Sequence, residues 1–239
     1  MKRIICLLAA LMLVLCGCSQ NNWGEEAVFS KNENGNLVSD SGTEYTYLTN
    51  EMYVYCLGER EFVGGVQGEE KTSQHMGLSY QTGMFAVKDA ENDNILVRYL
   101  PNNEWCAIYR KASLPTFDLS VDNCVRLELV LGSGNPEEDG IHTTCSEGIS
   151  DKSEILAFLS DVRMQESPSE AGLYDMITKP DGMLENCYLY AVIYGFFEEE
   201  PNLAIPMEIF SYNDLAYSVS IEGEEYVLPS EWLQKLENK

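Results

Sequence analysis

From Met84 to Arg110 the chain repeats one pattern, a strand-length apolar run followed by a break built from Asn, Asp or Pro. Met84-Phe85-Ala86-Val87 is followed by Asp89-Ala90-Glu91-Asn92-Asp93-Asn94, residues 95–100 by Pro101-Asn102-Asn103-Glu104, and residues 105–110 close the series. The breaks turn the backbone for separate reasons: local side-chain hydrogen bonds and tolerance of positive φ for Asn and Asp, a fixed φ for Pro. The spacing predicts an antiparallel meander. Residues 52–57 and 60–66 predict a further hairpin with Gly58-Glu59 at its turn, so the first half is expected to be nearly all β.

A second section is expected after Leu114-Pro115. Val125, Leu127, Leu129 and Leu131 alternate with Arg126, Glu128 and Val130, the pattern of a half-buried strand, and residues 132–140 read as a loop. Asp151 is placed to cap a helix, with Glu154 three positions on and Ile155, Phe158, Leu159 and Val162 at helical spacing. Residues 188–197 are apolar on both alternating faces, as a central strand requires. Three more strands are expected at 206–212, 215–221 and 225–228, with Gly223 turning the last hairpin, and a closing helix from Pro229 that buries Trp232, Leu233 and Leu236. The fold class expected is therefore α+β and predominantly antiparallel β, with a β-meander N-terminal half and a C-terminal half carrying a sheet with two or three helices.

Ahead of these elements, Lys2 and Arg3 precede an apolar stretch from Ile4 to Leu15, and Leu15-Cys16-Gly17-Cys18 ends it. Such a stretch suits a signal peptide and is short of the roughly 20 residues that span a bilayer. The segment resembles the lipobox of bacterial lipoproteins. That resemblance covers about the first twenty residues, and it implies removal of residues 1–17 and attachment of a diacylglycerol to the Cys18 sulfur. It also implies a membrane partner through the N-terminal lipid, and a place on the extracytoplasmic face of the cell membrane. Two acyl chains hold a protein stably where one does not. The organisation expected is a signal peptide at 1–17, a lipidated cysteine and polar tether at 18–44, a β-rich subdomain at 45–114 and an α+β subdomain at 115–239, the last two open to being one composite domain, 45–239. Ser19-Gln20-Asn21-Asn22 and the Asn/Gly/Ser/Asp stretches near 32–42 suggest the tether, with Trp23, Val28, Phe29, Leu37 and Val38 as residues able to dock on the domain.

Charge excludes one class of partner. The formal charge is −24, and loss of Lys2 and Arg3 with the signal peptide takes it to −26. Nucleic acid is not expected, because binding its phosphates depends on clustered Lys and Arg. Eight cysteines fall to six on removal of Cys6 and Cys16, and one of these is the lipid site. Cys56, Cys106, Cys124, Cys145 and Cys187 are an odd five, so they cannot all pair within one molecule; mostly buried thiols are expected.

Catalytic signatures are sparse. His142 and Cys145 have the chemistry of a thiolate dyad, but strand positions three apart face opposite sides of a sheet. Asp89, Glu91 and Asp93 begin like a calcium loop, yet Asn94 replaces its glycine and Leu100 its closing glutamate. No cofactor, metal site or catalytic residue is expected. Three tyrosine pairs spaced by two, Tyr45 and Tyr47, Tyr53 and Tyr55, and Tyr188 and Tyr190, would each share one face of a strand. Tyr53, Tyr55, Tyr188 and Tyr190 are the binding residues expected. The function expected is a non-enzymatic binding module for an envelope or extracellular protein, peptide or glycan, the alternative being an envelope hydrolase with a divergent active site.

Overall fold

The computed structural model describes residues 22–51, 53–75, 78–88, 93–99, 106–131, 148–177 and 187–238. These are strand-dominated and fall into two compact units, one within 1–51 and 60–115, the other within 52–59 and 116–239. In chain order the first ten strands are β1 (Ala27–Lys31), β2 (Leu37–Ser39), β3 (Glu44–Asn50), β4 (Tyr55–Cys56), β5 (Arg60–Val66), β6 (Thr72–His75), β7 (Leu78–Gln81), β8 (Gly83–Val87), β9 (Ile95–Tyr99) and β10 (Ala107–Lys111).

Seven of them close the first unit into a barrel in the order β1-β2-β3-β10-β9-β8-β5. β8, β9 and β10 follow one another antiparallel, whereas closure comes from a parallel pairing of β1 with β5. Phe29, Leu37, Tyr45, Val66, Met84, Leu96, Ala107 and Tyr109 form its core. Arg98 lies in register with Met84 and Ala107 and two residues beyond Leu96, so it shares the core face. Its guanidinium is buried, donates to the Tyr109 hydroxyl at 3.1 Å and pairs with the Glu69 carboxylate.

Two expectations are corrected here. Residues 22–44, expected as part of a polar tether at 18–44, instead belong to the barrel, where β1 and β2 supply Phe29 and Leu37 to its core. The turn formers between those strands make a hairpin turn: Asn32 Oδ1 accepts the Asn34 and Asn36 N–H groups, and the Asn32 and Asn36 amides both donate to Glu44 Oε1 at 2.7 Å. Gly58-Glu59 does not turn a hairpin either. β5 pairs with β8 and β1, while β4 joins the sheet of the second unit, with Cys56 opposite Leu203 and Tyr55 opposite Ala204.

That sheet contains β11 (Arg126–Leu131), β12 (Cys187–Phe196), β13 (Leu203–Tyr212), β14 (Ala216–Ile221) and β15 (Glu224–Val227), antiparallel in chain order, with β4 added to β13. Glu222 and Gly223 take φ of 53° and 88°, the left-handed pair that a two-residue hairpin turn requires. Helix α1 (Lys152–Arg163) starts where Asp151 Oδ1 accepts the N–H groups of Ser153 and Glu154, and it buries Ile155, Phe158, Leu159 and Val162. A short helix, α2 (Leu173–Ile177), packs beside Tyr212. α3 (Ser230–Glu237) buries Trp232, Leu233 and Leu236 and meets α1 edge-on, with Phe158 and Trp232 ring centroids 5.5 Å apart. Trp232 Nε1 also donates to Asp161 Oδ2 at 3.0 Å. None of the described helices is long and apolar enough to cross a membrane.

Candidate functional site

Antiparallel pairing across β12, β13 and β14 sets Tyr188, Ser211 and Tyr217 in one row, since Tyr188 faces Ser211 and Ser211 faces Tyr217. The middle side chain is short and the outer two are aromatic. Strands lie about 4.8 Å apart, so the two tyrosines leave the backbone about 10 Å from each other with a serine between them. Tyr188 keeps 45% of its surface exposed.

The loop joining β13 to β14 supplies a carboxylate to this row. Asn213 and Asp214 take φ of 56° and 58°, a left-handed conformation that Asn and Asp adopt more readily than other side-chain-bearing residues. Asp214 is thereby turned back on its own strand: its N–H donates to Ser211 Oγ at 3.3 Å, and its Oδ1 accepts both the Ser211 hydroxyl and the Tyr188 phenol. The hydrogen bond to Asp214 raises the Tyr188 pKa above the ordinary tyrosine value. Both hydroxyls fall on Oδ1.

Tyr190 joins the cluster by a different route. The β12–β13 register shifts between Leu189 and Ala191, which makes Tyr190 the extra residue of a bulge. Its ring meets Tyr217 at 5.0 Å and its hydroxyl donates at 2.5 Å to Glu237 Oε1, in the last turn of α3. That bond, and then burial, holds the Tyr190 pKa well above the usual value.

Tyr53 and Tyr55 are not part of this arrangement. Tyr53 precedes β4 and is 59% exposed, while Tyr55 packs on Tyr194 with centroids 5.9 Å apart. Tyr55 lies opposite Ala204 and Tyr188 opposite Ser211, seven residues further along an alternating strand, so the two pairs occupy opposite faces of the sheet. Tyr45 and Tyr47 share one face of β3, opposite Lys111 and Tyr109, but Tyr45 is buried in the barrel core whereas Tyr47 is exposed and meets Tyr109 edge-on.

Tyr217, Ser211 and Asp214 were missed as site residues. The signal was present: Asn213-Asp214 lies between two strand-like runs, and a hairpin turning there brings 211 opposite 217.

Nucleophilic chemistry has little support among the described residues. Burial pushes the Cys124 thiol up to about 12, and burial followed by the charge of Glu225 raises Cys187, so both are protonated at neutral pH. Cys56 and Cys106 are buried. Asp93, of the calcium-like stretch, is bonded to Lys111 and lies 3.4 Å from the Tyr45 hydroxyl that donates to it; the Lys111 bond is the main cause of its lowered pKa. No three His, Cys, Asp or Glu side chains among the described residues gather as a metal site. Cys18, Asp89, Glu91, His142 and Cys145 lie outside the described residues.

Neither a protein-family model, nor a curated protein, nor a solved structure matches this chain. Fold and site together define a strand-dominated protein, with a seven-stranded barrel and an antiparallel sheet that carries a tyrosine–carboxylate cluster.

Proposed function

We propose that the protein is a lipid-anchored, extracytoplasmic α+β binding module without enzymatic activity, and that Tyr188, Tyr217 and Asp214, arranged around the fully buried Ser211, hold a neutral glycan. The observation that carries this reading is the cross-strand row of two tyrosines flanking a serine, with a carboxylate oriented toward it. Tyrosine rings offer flat apolar area at little entropic cost and suit the C–H faces of sugars. A carboxylate accepts hydrogen bonds from sugar hydroxyls, and Asp214 uses only Oδ1 for the Tyr188 and Ser211 bonds. The formal charge of −24 favours a neutral ligand over an acidic one. The anchor is supported by the lipobox-like sequence ending at Cys18.

Calorimetric titration with soluble N-acetylglucosamine oligomers tests the reading. Binding by the native chain, weakened at least about tenfold by Tyr188→Ala with the fold intact, is the expected result, since an aromatic anchor contributes roughly 1–2 kcal/mol. Equal binding by both proteins, or none by the native chain while it captures a peptide or protein from intact envelopes, overturns the glycan assignment.

A further inference from the structure

The chain enters the barrel almost as soon as it leaves Cys18. Asn22 bridges to Glu70, and the Trp23 N–H donates to the Glu69 carbonyl at 3.2 Å. Trp23 is buried: its ring stacks on Phe62 with centroids 5.2 Å apart, and its Nε1 donates to Thr82 Oγ1 at 3.2 Å. The ring also lies flat on Gly65, where an added Cβ would fall 2.0 Å from it. Residue 22 is therefore fixed to the barrel. Only residues 19–21 separate it from Cys18, and four Cα steps reach at most about 14 Å.

The β6–β7 hairpin springs from that same place. Thr82 N–H donates to the Lys71 carbonyl at 3.0 Å and closes the hairpin's root, and Thr82 is the residue that receives the Trp23 indole. Among the described residues, β6 and β7 pair only with each other. On β7, Leu78 and Tyr80 share one face and are 60% and 41% exposed, while Ser79 and Gln81 take the other. Residues 72–87 form a run of 16 without Asp, Glu, Lys or Arg, in a chain holding 39 acidic residues. Two of the acids beside the root are engaged by cations: Lys71 bonds Glu26 at 2.6 Å, and Glu69 pairs with Arg98 and Lys31.

We infer that the β6–β7 hairpin rests on the bilayer, with Leu78 and Tyr80 at the headgroup–acyl boundary, as a second membrane contact beside the lipid on Cys18. The inference rests on the anchor proposed above. A lipid surface is the occupant because the anchor, from its short reach, holds that surface next to the hairpin root. An uncharged strand pair carrying an aliphatic and a tyrosine side chain can enter the interface without burying a charge, and tyrosine suits that boundary. The chain's acidity makes zwitterionic rather than anionic lipid the fitting surface.

Hydrogen exchange of the full mature lipoprotein in phosphatidylcholine vesicles tests this, compared with its Cys18→Ser counterpart in the same suspension and with acylation of Cys18 read by mass spectrometry. The amides of 72–75 and 78–81 are expected to exchange roughly tenfold more slowly in the anchored protein, as burial of two side chains suppresses local opening. A Leu78→Asp, Tyr80→Asp double variant is expected to lose that slowing while β8 to β10 keep their protection. Acylated protein with unslowed hairpin amides overturns the hairpin contact alone. Absence of acyl groups on Cys18 overturns both the contact and the anchor. Slowing that survives the double variant, or that occurs in native envelopes but not in pure lipid, shows another partner and overturns the lipid assignment.

Discussion

At the scale of single residues, Arg98 in the barrel core departs from ordinary burial. Its Nε and the Oε2 of Glu69 are buried without hydrogen-bond partners among the described residues, so the pair is only partly satisfied. The two partners are not equivalent. Glu69 is also approached by Lys31 at 3.4 Å, whereas Arg98 is left with the Tyr109 hydroxyl once Glu69 is removed. Removing one member of a buried pair costs about 3–5 kcal/mol when the other is stranded. Glu69→Gln is therefore expected to destabilise the protein by about 3 kcal/mol in urea titrations, and Arg98→Met by clearly less; the reverse order would mean that the carboxylate, not the guanidinium, is the stranded charge. Nothing in the sequence singles out Arg98. It follows Ile95-Leu96-Val97 in a strand-like run, and an arginine there reads as the end of the apolar face rather than as part of it.

At the scale of elements, what could be read from the sequence was whatever neighbouring residues decide. Asp151 caps α1 as its spacing from Glu154 and Ile155 predicts, because a cap is a matter of three or four consecutive residues. Asp151→Ala is expected to cost about 1 kcal/mol, measured as a lowered denaturation midpoint of the second unit, with β11 to β15 still assembled. β8, β9 and β10 were legible for the same reason, each joined to the next by a short break. Pairings between distant segments were not. β1 and β5 are separated by about thirty residues and meet in parallel, a pairing that no turn signal announces. Residues 55–56 look like half of a local hairpin, but the partner they find is Leu203-Ala204, almost 150 residues away. The tyrosine cluster divides likewise. Tyr188 and Tyr190 were visible as a pair, whereas the bulge that sends Tyr190 toward Glu237, and the buried serine opposite Tyr188, emerge only from the register of β12 on β13.

At the scale of the whole molecule, a formal charge of −24 and a set of buried phenols both bear on alkaline stability, and their contributions can be separated. Burial, and then the neighbouring Asp93, pushes the Tyr45 pKa up to about 12 from 10.0, and burial also raises Tyr194 and Tyr212. For a group whose folded pKa is raised, the unfolded chain loses its proton first as pH rises. Between pH 10 and about 12 the folded state therefore binds more protons than the unfolded one, and stability falls across that window after being fully present below it. Self-repulsion of an acidic chain acts in the same direction, but it is screened by salt, whose Debye length shrinks to about 3 Å at 1 M. Burial of a phenol is not screened. Denaturation midpoints measured against pH are thus expected to fall above pH 10 at low salt, and a smaller fall is expected to remain in about 1 M salt. Tyr45→Phe should shrink the part that remains, because it removes one of the groups that must ionise. A fall that vanishes in salt and is the same in Tyr45→Phe would assign alkaline unfolding to net charge alone, leaving the tyrosines of the barrel core and the sheet without a part in it.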